Sequence, residues 1–112
     1  MPHVVIVGAV RSAIGTYGGA LRDVRPVTLG GQIVSASLSQ AGMAPADVDE
    51  VILGMIYQGG QGPNPARQAA VHAGLPYSVP AMTVNKLCGS GLKAVALAAS
   101  AVRAGEADAI VA

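Results

Sequence analysis

From Cys88 to Ala104 the chain is apolar in every direction that a helix can face. Leu92, Ala94, Val95, Ala96, Leu97, Ala98, Ala99, Ala101 and Val102 surround the axis, and only Lys93 and Arg103 are charged. A helix that is apolar all round is a buried helix. One sheet can cover only one face of it, so a second layer has to cover the other. This segment therefore belongs between layers of a larger structure, whatever surrounds it in sequence.

Composition points the same way. The chain has 112 residues, enough for one small domain. Charged residues make up 12%, about half the roughly 25% of an ordinary soluble domain. Hydrophobic residues reach 52%, yet there is no Phe and no Trp. The apolar content is Ala, Val, Ile and Leu, which suits tightly packed layers. So few charges poorly cover an isolated small domain, whose surface-to-volume ratio is high. An unusually apolar free domain fits these facts; a piece of a larger assembly fits them better.

A net charge of +1 gives no electrostatic case for nucleic acid or an anionic membrane as partner. The start has no basic n-region, and the apolar run over 4–10 contains Gly8 and stops at Arg11, too short to span a bilayer. The single cysteine excludes an internal disulfide. A cytoplasmic protein is the default expectation.

Punctuation by glycine and proline sets out the elements. The apolar run over 3–9 reads as a parallel strand buried on both faces. A glycine-rich loop follows, then a helix over 29–41 with Thr28 as N-cap, ended by Gly42 and Pro45. A second strand is expected over 51–57. After a glycine-rich loop over 58–64, Asn64 and Pro65 start a helix running to about Ala73, with Gly74 and Pro76 beyond. A third strand over 82–85 leads into the apolar helix, with Gly105 as its C′ residue, and a fourth begins over 109–112. The order β-α-β-α-β-α-β predicts a mainly parallel α/β sheet with crossover helices.

Cys88 follows a predicted strand and opens a predicted helix. Catalytic groups of open α/β sheets gather at the carboxyl ends of strands. A helix N-terminus supplies free N–H groups and partial positive charge, which favour a thiolate. Gly89 and Gly91 remove bulk, so a substrate carbonyl can approach the sulfur and nearby amides able to hold an oxyanion. A buried structural cysteine is the alternative, and the residues alone leave both open.

The run Asn85-Lys86-Leu87-Cys88-Gly89-Ser90-Gly91-Leu92-Lys93-Ala94-Val95 resembles the nucleophile segment of the thiolase family. Gln58 to Gln68, a glycine-rich loop leading into Asn64-Pro65-Ala66-Arg67, is similar to a second thiolase segment. Arg11-Ser12-Ala13-Ile14-Gly15 resembles the family's N-terminal R-T-P-x-G, with Ser and Ala in place of Thr and Pro. The resemblance implies an αβαβα layered fold, of which this chain covers the first βαβαβαβ part. Residues 1–112 are then an incomplete N-terminal domain, with the C-terminal half absent. It implies Cys88 as the nucleophile that carries an acyl group, with acyl-CoA and coenzyme A as substrates and no permanently bound cofactor or metal. The implied reaction is thiolytic cleavage of a 3-ketoacyl-CoA, or condensation of two acetyl-CoA, in a homodimer or homotetramer. The family also uses a histidine in G-H-P and a second cysteine in C-x-G-G-G, and neither motif occurs here. A ketoacyl-synthase-like condensing enzyme and a non-catalytic assembly domain of the same fold are the alternatives.

Other polar residues carry less. His72 and His3 read as surface or cap residues. Asp47, Asp49 and Glu50 read as a solvated helix-to-strand connection rather than a metal site. The loop from Gly59 to Asn64 lacks the Lys-Ser/Thr ending of a phosphate loop. The resemblance places it near a subunit interface, though a plain connection explains it equally. Lys86 and Lys93 could meet the phosphates of coenzyme A or simply be solvated.

Overall fold

The computed structural model describes residues 3–112. Helix α1 spans Pro26–Ala41, a single 3-10 turn Pro45–Asp47, strand β1 Glu50–Gly54, helix α2 Pro65–His72, strand β2 Ala81–Val84, helix α3 Ser90–Ala104 and strand β3 Ile110–Val111. The three strands form one parallel sheet in the order β2-β1-β3. In register, Val51 lies beside both Ala81 and Val111. Strand alternation then assigns the layers. Val51 faces α1 and α2 in a core with Val34, Leu38, Val48, Ala70, Leu75 and Val79. Ile52 faces the other way, onto Ala94 and Ala98 of α3. The result is a three-layer α/β/α arrangement with β1 at its centre.

Small residues let the layers approach. Gly31, inside α1, lies against α2 so closely that a Cβ there would stand 2.7 Å from His72 Cβ and 3.2 Å from the Ala69 carbonyl oxygen. A glycine costs a helix interior about 1 kcal/mol of propensity, and here it permits near backbone-to-backbone packing. The helix stops are local. Gly42 and Gly105 both adopt the left-handed conformation. Behind them Met43 and Glu106 donate to the carbonyls of Leu38 and Ala101, both at 3.0 Å, the Schellman pattern.

Two expectations need correction. No strand forms over 3–9, so three strands stand where four were expected, and Val5, Ile6 and Val7 are exposed. Apolar sequence reports that a segment suits a buried position, but a strand also needs an open edge to pair with, and this one takes none among the described residues. It lies instead along α1, with the Ala9 N–H donating to Gln40 Oε1 at 2.6 Å. Thr28 is not the cap of α1. That helix begins at Pro26, whose fixed φ suits the first turn, with Arg25 in the cap position. The sheet covers one face of α3, as expected: Ser90, Ala94 and Ala98 are buried on it, while Leu92 is 78% exposed. The 18-residue stretch Leu87–Ala104 is apolar enough by length and composition to cross a bilayer; the buried stripe instead seats it against the sheet.

The acidic turn has a structural task. Asp49 Oδ2 accepts from the Asp108 N–H at 2.7 Å and the Ala109 N–H at 3.0 Å, tying the entry of β3 to β1. These two backbone donors hold the Asp49 carboxyl below its ordinary value. A carboxylate with a lowered folded-state pKa contributes stability above its unfolded pKa, and loses it as pH falls through the folded value. In the intact protein the Asp108 and Ala109 amide proton shifts should therefore titrate together, below the usual aspartate range of about 4. Asp49→Asn should abolish that titration. Amide shifts that stay flat into acid would contradict the tether.

Candidate active site around Cys88

Cys88 lies between the carboxyl end of β2 and the first turn of α3, in a turn made by 85–89. Its side chain is exposed. The turn is unusual: Leu87, just before the cysteine, has φ of +50°. The left-handed region costs an ordinary L-residue about 1–2 kcal/mol, and such strain persists only where neighbours over-determine it. Here they do. Asn85 Oδ1 accepts the Leu87 N–H at 3.0 Å, while Asn85 Nδ2 reaches the Ile56 carbonyl at 3.0 Å. The Ser90 hydroxyl donates to the Leu87 carbonyl at 2.6 Å and accepts the Lys86 N–H at 2.8 Å. Ser90 is buried, at 4% exposure.

Sheet and helix meet here with no spare space. A Cβ on Gly54, the last residue of β1, would stand 2.6 Å from the Ser90 carbonyl carbon and 2.7 Å from the Gly91 nitrogen. The head of α3 therefore rests directly on the end of β1. On the solvent side the reverse holds. A Cβ on Gly91 would meet nothing within 4 Å, so the space beside the helix start is open to a ligand. The Ser90 and Lys93 amides are taken by the Leu87 and Gly89 carbonyls, at 3.1 and 2.9 Å, leaving Gly91 and Leu92 N–H without a backbone acceptor among the described residues. An exposed sulfur on a braced turn, beside free amides at a helix head, is an arrangement suited to nucleophilic attack on a carbonyl.

A second cluster supports β2. Asn64, at φ of +44°, caps α2 by accepting the Arg67 N–H at 3.3 Å. It also accepts from Thr83 Oγ1 at 2.7 Å and donates to the Ala81 carbonyl at 2.9 Å. Arg67 donates to the Val79 and Tyr77 carbonyls at 2.9 and 3.1 Å, fixing the loop that enters β2. Gln68 Nε2 holds the 58–64 loop through the Gln61 and Pro63 carbonyls at 2.7 and 2.9 Å. The Asn-Pro-Ala-Arg segment thus braces the strand that delivers Cys88.

The remaining candidates lie elsewhere. His72 is exposed, with Nε2 3.2 Å from Thr28 Oγ1, and belongs to the α1–α2 contact. That contact also forms an open cavity of about 630 Å³, lined by small residues such as Gly31, Ser35 and Ser39. It holds no cysteine and lies among α1 and α2, on the face of the sheet opposite α3. Arg11 is exposed and, among the described residues, its side chain donates only to the neighbouring Ser12 carbonyl. Lys86 is exposed and Lys93 half-buried. Among the described residues no group of His, Cys, Asp and Glu could hold a metal ion. Sequence reading found the cysteine and its glycines but missed Asn85, Ser90 and Gly54. A polar residue on the first turn of an otherwise apolar helix was the available signal for Ser90.

The chain was compared with known proteins. A family model described as the thiolase N-terminal domain matches residues 4–112. An acetyl-CoA acetyltransferase of Cupriavidus necator is 54% identical over 112 residues, and one of Pseudomonas aeruginosa 53% over 112 residues. A probable acetyl-CoA acyltransferase of Staphylococcus aureus is 47% identical over 112 residues. In each case all of this chain is covered and 28% of the relative, so the chain spans little more than a quarter of their length. The α/β layers, the parallel sheet and this match agree: the chain belongs to the thiolase family, matching the description of its N-terminal domain over residues 4–112.

Proposed function

We propose that the protein containing this chain transfers acyl groups between coenzyme A thioesters, with Cys88 as the residue that carries the acyl group. The observation that carries this reading is the exposed Cys88 sulfur on its braced turn at the head of α3, in a chain about half identical to proteins named acetyl-CoA acetyltransferases.

In the condensing direction the Cys88 thiolate attacks the carbonyl carbon of acetyl-CoA. The new C–S bond forms, the bond to the coenzyme A sulfur breaks, and coenzyme A leaves with a proton. The C2 carbanion of a second acetyl-CoA then attacks the acetyl-enzyme and expels Cys88 as thiolate, giving a 3-ketoacyl-CoA. In thiolysis the sulfur attacks C3 of a 3-ketoacyl-CoA. The C2–C3 bond breaks, C2 takes a proton and leaves as acetyl-CoA, and free coenzyme A collects the acyl group. Free amides at the helix head are suited to hold the oxyanion of either tetrahedral intermediate. Coenzyme A is substrate in both directions, and the reading includes no resident cofactor, metal, nucleic acid or membrane partner. It includes a cytoplasmic homo-oligomer of at least two subunits. Residues 1–112 supply the nucleophile without the histidine and second cysteine of the family, so we expect this segment alone to be inactive.

The test is covalent labelling. Incubating the intact protein with acetyl-CoA, without a second substrate, should release one coenzyme A per subunit in a burst, the fingerprint of covalent catalysis. Mass spectrometry should place one acetyl group on the peptide containing Cys88. A label on another residue, or turnover with no acyl-enzyme, would sink the reading.

A further inference from the structure

We propose that Ser90 is a positioning residue for Cys88: its buried hydroxyl clamps Leu87 in the left-handed turn that aims the sulfur and keeps the helix-head amides free. The inference rests on Cys88 being the nucleophile, and its test separates the two claims.

Three observations carry it. Ser90 is the one buried polar side chain among the described residues, so its hydroxyl has no solvent to turn to. Its proton goes to the Leu87 carbonyl at 2.6 Å and a lone pair receives the Lys86 N–H at 2.8 Å, so one oxygen grips the backbone on both sides of the strained residue. Ser90 is also the first residue of α3 rather than its cap; its side chain reaches back into the turn instead of forward along the helix. Gly54 supplies the fourth wall, since the backbone of Ser90 sits where any larger residue at 54 would put a Cβ. The serine cannot drift without moving the helix. With the hydroxyl removed, Leu87 loses its shortest hydrogen bond and Lys86 loses the acceptor of its N–H, and Leu87 is held only by Asn85 and by the longer bond from the Ser90 amide at 3.1 Å. Leu87 is then free to relax toward negative φ, which swings the following Cys88 Cα–Cβ bond away from its aim. A change of about 1 Å in a reacting atom is worth roughly a hundredfold in rate.

A double-mutant cycle with single-turnover acylation by acetyl-CoA tests this in the intact protein. Ser90→Ala should lower the acylation rate of Cys88 by roughly ten- to a hundredfold while the apparent affinity for acetyl-CoA stays within about twofold of the parent. Leu87→Gly should recover most of the lost rate in the Ser90→Ala background, because glycine adopts positive φ without steric cost. A serine that only stabilises the fold gives no such rescue. Parental acylation in folded Ser90→Ala overturns the proposal, and so does a rate loss that Leu87→Gly leaves untouched. If Ser90→Ala fails to fold, the hydroxyl is removed in the Leu87→Gly background alone; a loss there as large as tenfold overturns the proposal too. Should the parent protein take its acyl group at a residue other than Cys88, the functional reading fails first and is recognisable as such.

Discussion

Cys88→Ala should remove the acetyl label, the burst of coenzyme A and steady-state turnover together. In the proposed reaction the sulfur is the atom to which the acyl group is bonded, so nothing in the turn can replace it; a missing nucleophile costs roughly a thousandfold or more in turnover. Stability should hardly change. The side chain is exposed, and surface substitutions that remove no cap, core contact or buried hydrogen bond usually fall within about 0.5 kcal/mol. The turn geometry is set by Asn85 and Ser90, not by the cysteine, which is why fold and chemistry separate so cleanly here. Iodoacetamide should compete with acetyl-CoA for the same sulfur in the parent. Cys88→Ser keeps a smaller nucleophile of much higher pKa and should retain at most a trace of activity. An alanine variant that turns over at the parental rate would remove Cys88 from the mechanism.

Gly54→Ala should be the most damaging of the small substitutions, acting on stability and chemistry at once. Its new methyl would fall 2.6–2.7 Å from the Ser90 carbonyl carbon, the Gly91 nitrogen and Ser90 Cβ. Two of these are backbone atoms, so no side-chain rotation relieves the clash. The head of α3 has to lift off the end of β1, carrying the Cys88 turn with it. Overpacking of this kind costs about 1–3 kcal/mol, read as a lower urea midpoint, and the displaced turn should slow acylation by about tenfold or more. At Gly91, where the same methyl would meet nothing within 4 Å, the fold should tolerate alanine. A Gly54→Ala protein with parental midpoint and acylation rate would show that the contact is not a constraint.

The match places the chain in the thiolase family. A non-catalytic assembly domain would share the fold, and the labelling experiment distinguishes it directly. Leu87 and Leu92, exposed at 67% and 78%, sit beside the proposed site; cover over them would also screen Cys88 from water.

What the sequence determined by itself is what a few contiguous residues decide. Asn64 and Pro65 start α2 because a short polar cap and a fixed φ suit a helix head, and the structure begins it there. Gly42 and Gly105 end α1 and α3 because left-handed backbone is easiest for glycine, and both lie at positive φ. The buried strand through Val51 and Ile52 was legible from its apolar run, and Cys88 from its place between strand and helix. Tertiary structure decided whatever depends on a distant partner. The run over 3–9 has the composition of a strand, but composition does not supply a neighbouring edge. An all-apolar helix does not announce which stripe a sheet will cover; Ile52 and the end of β1 selected Ser90, Ala94 and Ala98. Asp49 looked like part of a solvated turn, and only the arrival of β3 gave it Asp108 and Ala109 to hold. The same holds at the proposed site. The proposed nucleophile is legible in the sequence, whereas the shape of its turn depends on the bonds of Asn85 and Ser90 across a strained Leu87, and on a glycine in another strand that lets the helix come close.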